Sequence, residues 1–255
     1  MQRPPGAGRP LILSNRSVND WISRVAQKHR EFTSLRLSPE QHERIRKWVE
    51  VTFVYSTLRL EGVAVTEADV LGAISAAPPG PSVATSPEGE AVELLRGIRL
   101  LQDFALGNGV AAALTSDLLL RLHGGGGEFR SSHSERVGPA MPVSPEHLAA
   151  SVESACRWFS AESFAELNPI EQASIVHLRL LEIQPFERAN LRIAILAASL
   201  FTLRRGLPPV MIMPDLAQAY EKAVSESRSG NTQPMVEMMG SAVEGALVRM
   251  IGLAA

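Results

Sequence analysis

The segment LRIAILAASLFTL, Leu191 to Leu203, is apolar nearly all the way round a helical wheel, with polar residues mainly at its ends. Such a helix has no face to give to solvent and belongs at the centre of a bundle. The turn before it, PFERAN, brings the chain to a helix N-terminus, where backbone N–H groups lack partners and the dipole is positive. An anion site is one use of that point. The other is an ordinary buried helix start that binds nothing.

The rest of the chain carries helical periods that can cover such a core. In SPEQHERIRKWVEVTFVYSTLRLEG, Ser38 and Pro39 read as N-cap and N1, and Ile45, Trp48, Val49, Thr52 and Phe53 share one face. That helix stops at Gly62, and a new start signal at Thr66 makes a short corner. The Pro/Ser/Gly-rich stretch 75–90 reads as an exposed loop, so the domain cut falls there: an N-terminal helical region, 1–90, and a core, 91–255. VELLRGIRLLQDFA and TSDLLLRLHG are further helices, and Leu148, Val152, Ala155, Cys156 and Phe159 line one face of another. No segment alternates with period two for long enough to build a sheet. The expected fold class is all-α, with one small hairpin near 129–143.

Composition narrows the function. With 255 residues, 45% of them hydrophobic, the chain can bury a sizeable core. Its formal net charge of -2 gives no general attraction for nucleic acid or an anionic membrane. Dispersed basic residues and 5% aromatics also argue against nucleic-acid binding. Cys156 is the single cysteine, which excludes an internal disulfide and a Cys-rich metal site. The apolar run LIL near the start is too short for a signal peptide or a span, and the expected location is cytoplasmic.

Several motifs together resemble the Fic (Fido) domain family. HLRLLEIQPFERANLRIAI is similar to its signature, H-x6-I-H-P-F-x-[DE]-G-N-G-R-x-x-R. GEFRSSHSERVGPAMPVSPEHL is similar to its flap segment, RRGLPPVMI to the G-[YL]-P-P that follows the motif, and YEKAVSESRSGNTQPMVEMM to its helical tail. STLRLEG contains T-x-x-x-E-G, which looks like the family's inhibitory helix motif. The likeness covers roughly residues 38–240 and implies a Fic-like bundle with a central buried helix. It also implies transfer of AMP from ATP to a protein hydroxyl, with the motif His as base and an acidic residue on Mg²⁺.

Residue by residue, the motif is degenerate. Gln184 stands where the base would be, and an amide supplies none of the typical ~10²–10⁴-fold help of a general base. Arg188 stands at the metal-binding acid, where a cation repels Mg²⁺, and Glu187 would have to turn the other way to substitute. Ala189 and Leu191 replace the two glycines, adding bulk and a penalty for positive φ. Ile195 replaces the final Arg. Arg188, Asn190 and Arg192 remain as candidate nucleotide or anion ligands, although Asn190 read as an N-cap and Arg192 paired with a carboxylate account for the same residues. Pro185 and Phe186 fix the turn and plug the core. Glu61 matches the inhibitory Glu and, without an Arg at 195, must find Arg192, Arg188 or solvent. His177, seven residues before Gln184 on the same helical face, is either a core or interface histidine or a replacement base.

Two classes of function follow. One is a catalytically inactive Fic-fold binding or regulatory module. The other is a phosphate- or nucleotide-transferring enzyme with remodelled, metal-independent chemistry, using Glu61 or Glu187 as base. Possible ligands reduce to ATP, with Mg²⁺ disfavoured and no metal site assigned. The expected partner is a protein, with a homodimer left open and neither nucleic acid nor membrane.

Overall fold

The computed structural model describes residues 15–76, 86–124, 128–133, 142–227 and 230–255. Its helices are α1 (Asn15–Thr33), α2 (Pro39–Leu60), α3 (Glu67–Ala76), α4 (Pro87–Asn108), α5 (Ser116–His123), α6 (Pro145–Phe159), α7 (Glu162–Ala165), α8 (Pro169–Ile183), α9 (Asn190–Leu203), α10 (Ala217–Ser227) and α11 (Gln233–Ala254). No strand occurs among the described residues, so the fold is all-α. Of the expected hairpin near 129–143, residues 128–133 and 142–144 carry no regular structure, and 134–141 lie outside the described residues. The expected 75–90 loop is shorter than its composition implied. α3 runs through Ala76 and α4 begins at Pro87, leaving 77–85 outside the described residues.

Local signals place the helix starts. Ser38 accepts from the Gln41 N–H while the Gln41 side chain accepts from the Ser38 N–H at 2.7 Å, a capping box with Pro39 behind it. Asn168 and Glu171 close a second box at the start of α8. Ile45, Val49, Thr52 and Phe53 are buried as the periodicity of α2 predicted, and Trp48 is half-buried.

Helix α9 is the axis of the molecule. Every residue from Ile193 to Thr202 is buried, and α8, α4, α5 and α2 pack round it. A Cβ added at Gly97 of α4 would sit 2.9 Å from Leu196 Cδ1, so glycine sets the spacing of α4 and α9. The segment after α9 returns along it: the Val210 N–H donates to Ser199 Oγ at 3.1 Å, and that hydroxyl donates to the Ile195 carbonyl at 2.8 Å. One hydrophobic cluster joins residues from α1 through α11. Arg204, at the far end of α9, reaches the Ala112 carbonyl and Gln172 and lies 4.2 Å over the Phe201 ring.

His177 is the core histidine of the two readings left open by the sequence. It is fully buried on α8, with Nε2 2.8 Å from the Tyr220 hydroxyl of α10. Burial pushes its pKa from the ordinary 6.5 down to about 4, so the ring is neutral in the fold. A histidine held neutral stabilises the fold above its unfolded pKa, and that stability is lost as pH falls. Urea unfolding should therefore show about 3 kcal/mol of stability disappearing between pH 6.5 and 4. The loss should be clearly shallower in His177→Gln, which keeps a polar group for Tyr220 but cannot take up the proton.

Candidate functional site

Between α8 and α9 the chain reverses through Gln184–Ala189, and two left-handed residues make the reversal. Gln184, the C-cap of α8, has φ 48° and ψ 67° and returns its N–H to the Leu180 carbonyl at 2.9 Å. Ala189 has φ 65° and ψ 16° and stands at the N-cap of α9. These are the two non-glycine residues with positive φ among those described. Leu191 lies inside α9 with ordinary helical backbone, so the expected φ penalty falls on Ala189 alone. The Asn190 amide closes the turn, accepting from the Phe186 N–H at 2.9 Å and donating to the Phe186 carbonyl at 2.7 Å. Asn190 is thus the first helical residue and a brace for the turn; the N-cap position belongs to Ala189. Phe186 is fully buried and stacked on His123, with ring centroids 4.1 Å apart and planes within 7°.

A second segment fastens the turn from outside. Arg130 is buried, and its guanidinium donates to four carbonyls: Gln184 at 2.7 Å, Ser132 at 2.8 Å, Ile183 at 3.4 Å, and Val143. Two of these belong to the C-terminal end of α8, where the helix dipole is negative. The Arg130 N–H also donates to the Pro185 carbonyl at 3.0 Å. On the other side the Glu187 carboxylate accepts from the Ser131 and Ser132 N–H groups, each at 3.2 Å, and from Ser132 Oγ at 2.7 Å. The Ser132 hydroxyl and backbone hold Glu187 below the usual carboxylate range. Glu187 faces the 128–133 segment and is engaged there.

At the start of α9 a carboxylate from elsewhere in the chain meets the first turn. Glu61, the C-cap of α2, accepts from the Arg192 N–H at 3.0 Å with one oxygen, and from Arg192 Nε and Nη2, both at 2.5 Å, with the other. Glu90 of α4 stands 3.2 Å from the same Nη2. The two paired side chains are only 12% and 10% exposed. Burial pushes the Glu61 carboxyl above its ordinary range, against the pull of Arg192. Of the three partners open to Glu61 in the sequence, the fold selects Arg192. Because Ala189 offers no side-chain oxygen, a carboxylate 131 residues away does the work of a cap.

The structure brings Glu61 and Arg192 into contact and sets Gln184 and Asn190 at the two ends of the turn. Arg188 is exposed on the turn between them. Burial first and the nearby Arg188 second lower the pKa of His123. Arg130, His123 and Glu90 took no role from the sequence. Arg130 lies in the quoted flap segment GEFRSS, where an arginine between apolar and small residues was the available signal. Nothing local marked His123 or Glu90, because their roles arise from α5 and α4 crossing α9. Among the described residues no group of three or more His, Cys, Asp or Glu is placed to hold a metal ion.

The architecture and this turn define a class: helical proteins whose buried central helix begins at a tight turn, here braced by the 128–133 segment. Residues 113–202 match the model of the Fic/DOC family, and this stretch is a Fic/DOC-family domain. The protein adenylyltransferase fic-1 of Caenorhabditis briggsae is 25% identical over 97% of this chain and 52% of its own length. The protein adenylyltransferase Fic of Drosophila melanogaster is 30% identical over 48% of this chain and 25% of its own length. The chain thus spans about half of the first relative and a quarter of the second. Among solved structures, a Fic domain containing signaling protein from Bacteroides thetaiotaomicron superposes with a TM-score of 0.79 at 22% identity, covering 92% of this chain and 97% of that one. Fic-1 (aa134–508) from C. elegans gives 0.79 at 24% identity, over 93% of this chain and 72% of that one. These structural likenesses establish the fold.

Two outcomes follow from this geometry. Ala189→Gly should raise stability by about 1 kcal/mol in thermal and urea unfolding, since an L side chain in left-handed backbone carries about that strain. Glu61→Ala should lower it by about 3 kcal/mol, as expected when one member of a largely buried pair and a helix cap are lost together. Glu61→Gln, which keeps an acceptor for the Arg192 N–H, should lose less.

Proposed function

We propose that this chain is a Fic-fold binding and regulatory module in which AMP transfer has been lost. The observation that carries the reading is the closed site at the start of α9. Arg192, the phosphate-type ligand left in the motif, has its backbone N–H and its guanidinium engaged by Glu61, while Gln184 stands in the base's place. An amide takes up no proton near neutral pH, so a target hydroxyl would not be activated there. The donor set does not fit Mg²⁺ either: Arg188 occupies the acid's position, and Glu187 is spent on Ser131 and Ser132. In the same proposal residues 1–90 serve to deliver Glu61 to the core at 91–255, and the partner is a protein, a second copy of the chain included. A cytoplasmic setting agrees with one buried cysteine, Cys156, and with the lack of any described helix long and apolar enough to cross a membrane.

A second reading, a nucleotide-binding enzyme with metal-independent chemistry, is favoured by one feature. A cavity of about 220 Å³ opens beside Gln184, lined also by Leu181, Val224 and Ser227, and has room for part of a nucleoside. Its two candidate bases are weakened as such: Glu187 is held below the usual carboxylate range, and Glu61 is tied to Arg192.

Purified protein given α-labelled ATP and a lysate should transfer no label, with or without Mg²⁺, and Glu61→Gly should not change this. Transfer that is lost on heat denaturation would refute the proposal, and ATP binding by calorimetry without Mg²⁺ would favour the second reading. Gln184→His with Arg188→Asp should restore little. Adding Ala189→Gly, Leu191→Gly, Ile195→Arg and Glu61→Gly should admit Mg-ATP, because the guanidinium and backbone donors then face an open site.

A further inference from the structure

We propose that the groove between α1 and the start of α8, away from the motif turn, binds a carboxylate carried on a short apolar tail. The groove measures about 340 Å³, within the roughly 300–1,000 Å³ of small-molecule sites. Ile22, Val25, Leu167, Ile170 and Leu207 give it apolar walls.

Three of its polar side chains have no partner among the described residues. Trp21 lines the groove at 3% exposure, and its Nε1–H has no hydrogen-bond partner among the described residues. His29, two turns further along α1, lines it as well, and its buried Nε2 is also unpartnered. A buried donor left unmet costs about 1–3 kcal/mol. Neither nitrogen reaches bulk solvent, and an acceptor on a molecule seated in the groove would supply what the described residues do not. Arg205, on the turn after α9, lines the rim, and its side chain has no hydrogen bond or ion pair among the described residues. Asn168 and Pro169 bring the positive end of the α8 dipole to the same place. Indole N–H, guanidinium and helix N-terminus together select an anionic acceptor, and the apolar walls select its tail. Glu166 also borders the groove and is exposed, so the head group belongs on the Arg205 side and an acid with a second charge is disfavoured.

Octanoate is a suitable probe, with octan-1-ol as a neutral molecule of the same tail. The chain has three tryptophans, Trp21, Trp48 and Trp158. In ¹⁵N-labelled full-length protein their indole N–H signals can be assigned by elimination with Trp48→Phe and Trp158→Phe, which leave the groove untouched. Octanoate should move the Trp21 signal downfield in a saturable way, and octan-1-ol should move it far less. Arg205→Gln, an exposed change, should weaken octanoate about tenfold, the loss of one charge-assisted contact. Ala26→Phe, which fills the groove from the half-buried face of α1, should abolish the shift. The proposal is overturned if octanoate moves no indole signal, if it moves only that of Trp158, or if acid and alcohol bind wild type and Arg205→Gln alike.

Discussion

Glu61 on the N-terminus of α9 is the polar contact that joins the end of α2 to the axis of the molecule. α9 needs an acceptor at its first turn, and its own N-cap residue, Ala189, has none to give. The carboxylate at the end of α2 meets the Arg192 N–H and guanidinium together, and this requires α2 to end where α9 begins. Removing two charges from water costs several kcal/mol per ion, and burial does raise the Glu61 carboxyl above its ordinary range. The pair therefore serves more to fix position than to add net stability. The hydrophobic surface of α9 supplies the stability, and it would tolerate several directions of approach that the ion pair does not.

The same contact governs what the motif turn can do. With Arg192 bound to Glu61, approached by Glu90, and with one helix-start N–H taken, the start of α9 already holds a carboxylate from within the chain. The turn is also held from outside, by Arg130 on the carbonyls of Ile183 and Gln184 and by Glu187 on Ser131 and Ser132. These bonds join the 128–133 segment to the turn through both main chain and side chain. A carboxylate at the start of α9, a braced turn and an amide at position 184 are the observations on which the proposal of a binding module rests.

Parts of the site were legible in sequence and parts were not. The turn and the buried helix after it followed from PFERAN and an apolar wheel, because local composition fixes both. Glu61 as a carboxylate in need of a cation was visible from TLRLEG, but its choice of Arg192 over Arg188 was not. Asn190 was open between an anion ligand and an N-cap, and the fold places it one residue after the cap with its amide on the Phe186 backbone. The expected strain at Leu191 also moved, to Ala189. Motif spacing does not say which residue of the turn takes the left-handed backbone.

The sequence by itself determined the helical class, the central place of 191–203, the face of α2 that packs inward and the residue types of the turn, Gln184 and Arg188 among them. Each of these follows from periodicity, caps or side-chain chemistry, all of which act within a few residues. Tertiary structure alone decided that Glu61 caps α9, that the Arg130 guanidinium donates to carbonyl oxygens, that His123 stacks on Phe186, and that Trp21 and His29 have nitrogens unmet among the described residues. Those outcomes depend on helices far apart in the chain meeting at set distances, as at Gly97 against Leu196. The angle and separation of two helices arise from the packing of the whole core, and no stretch of sequence carries that information alone.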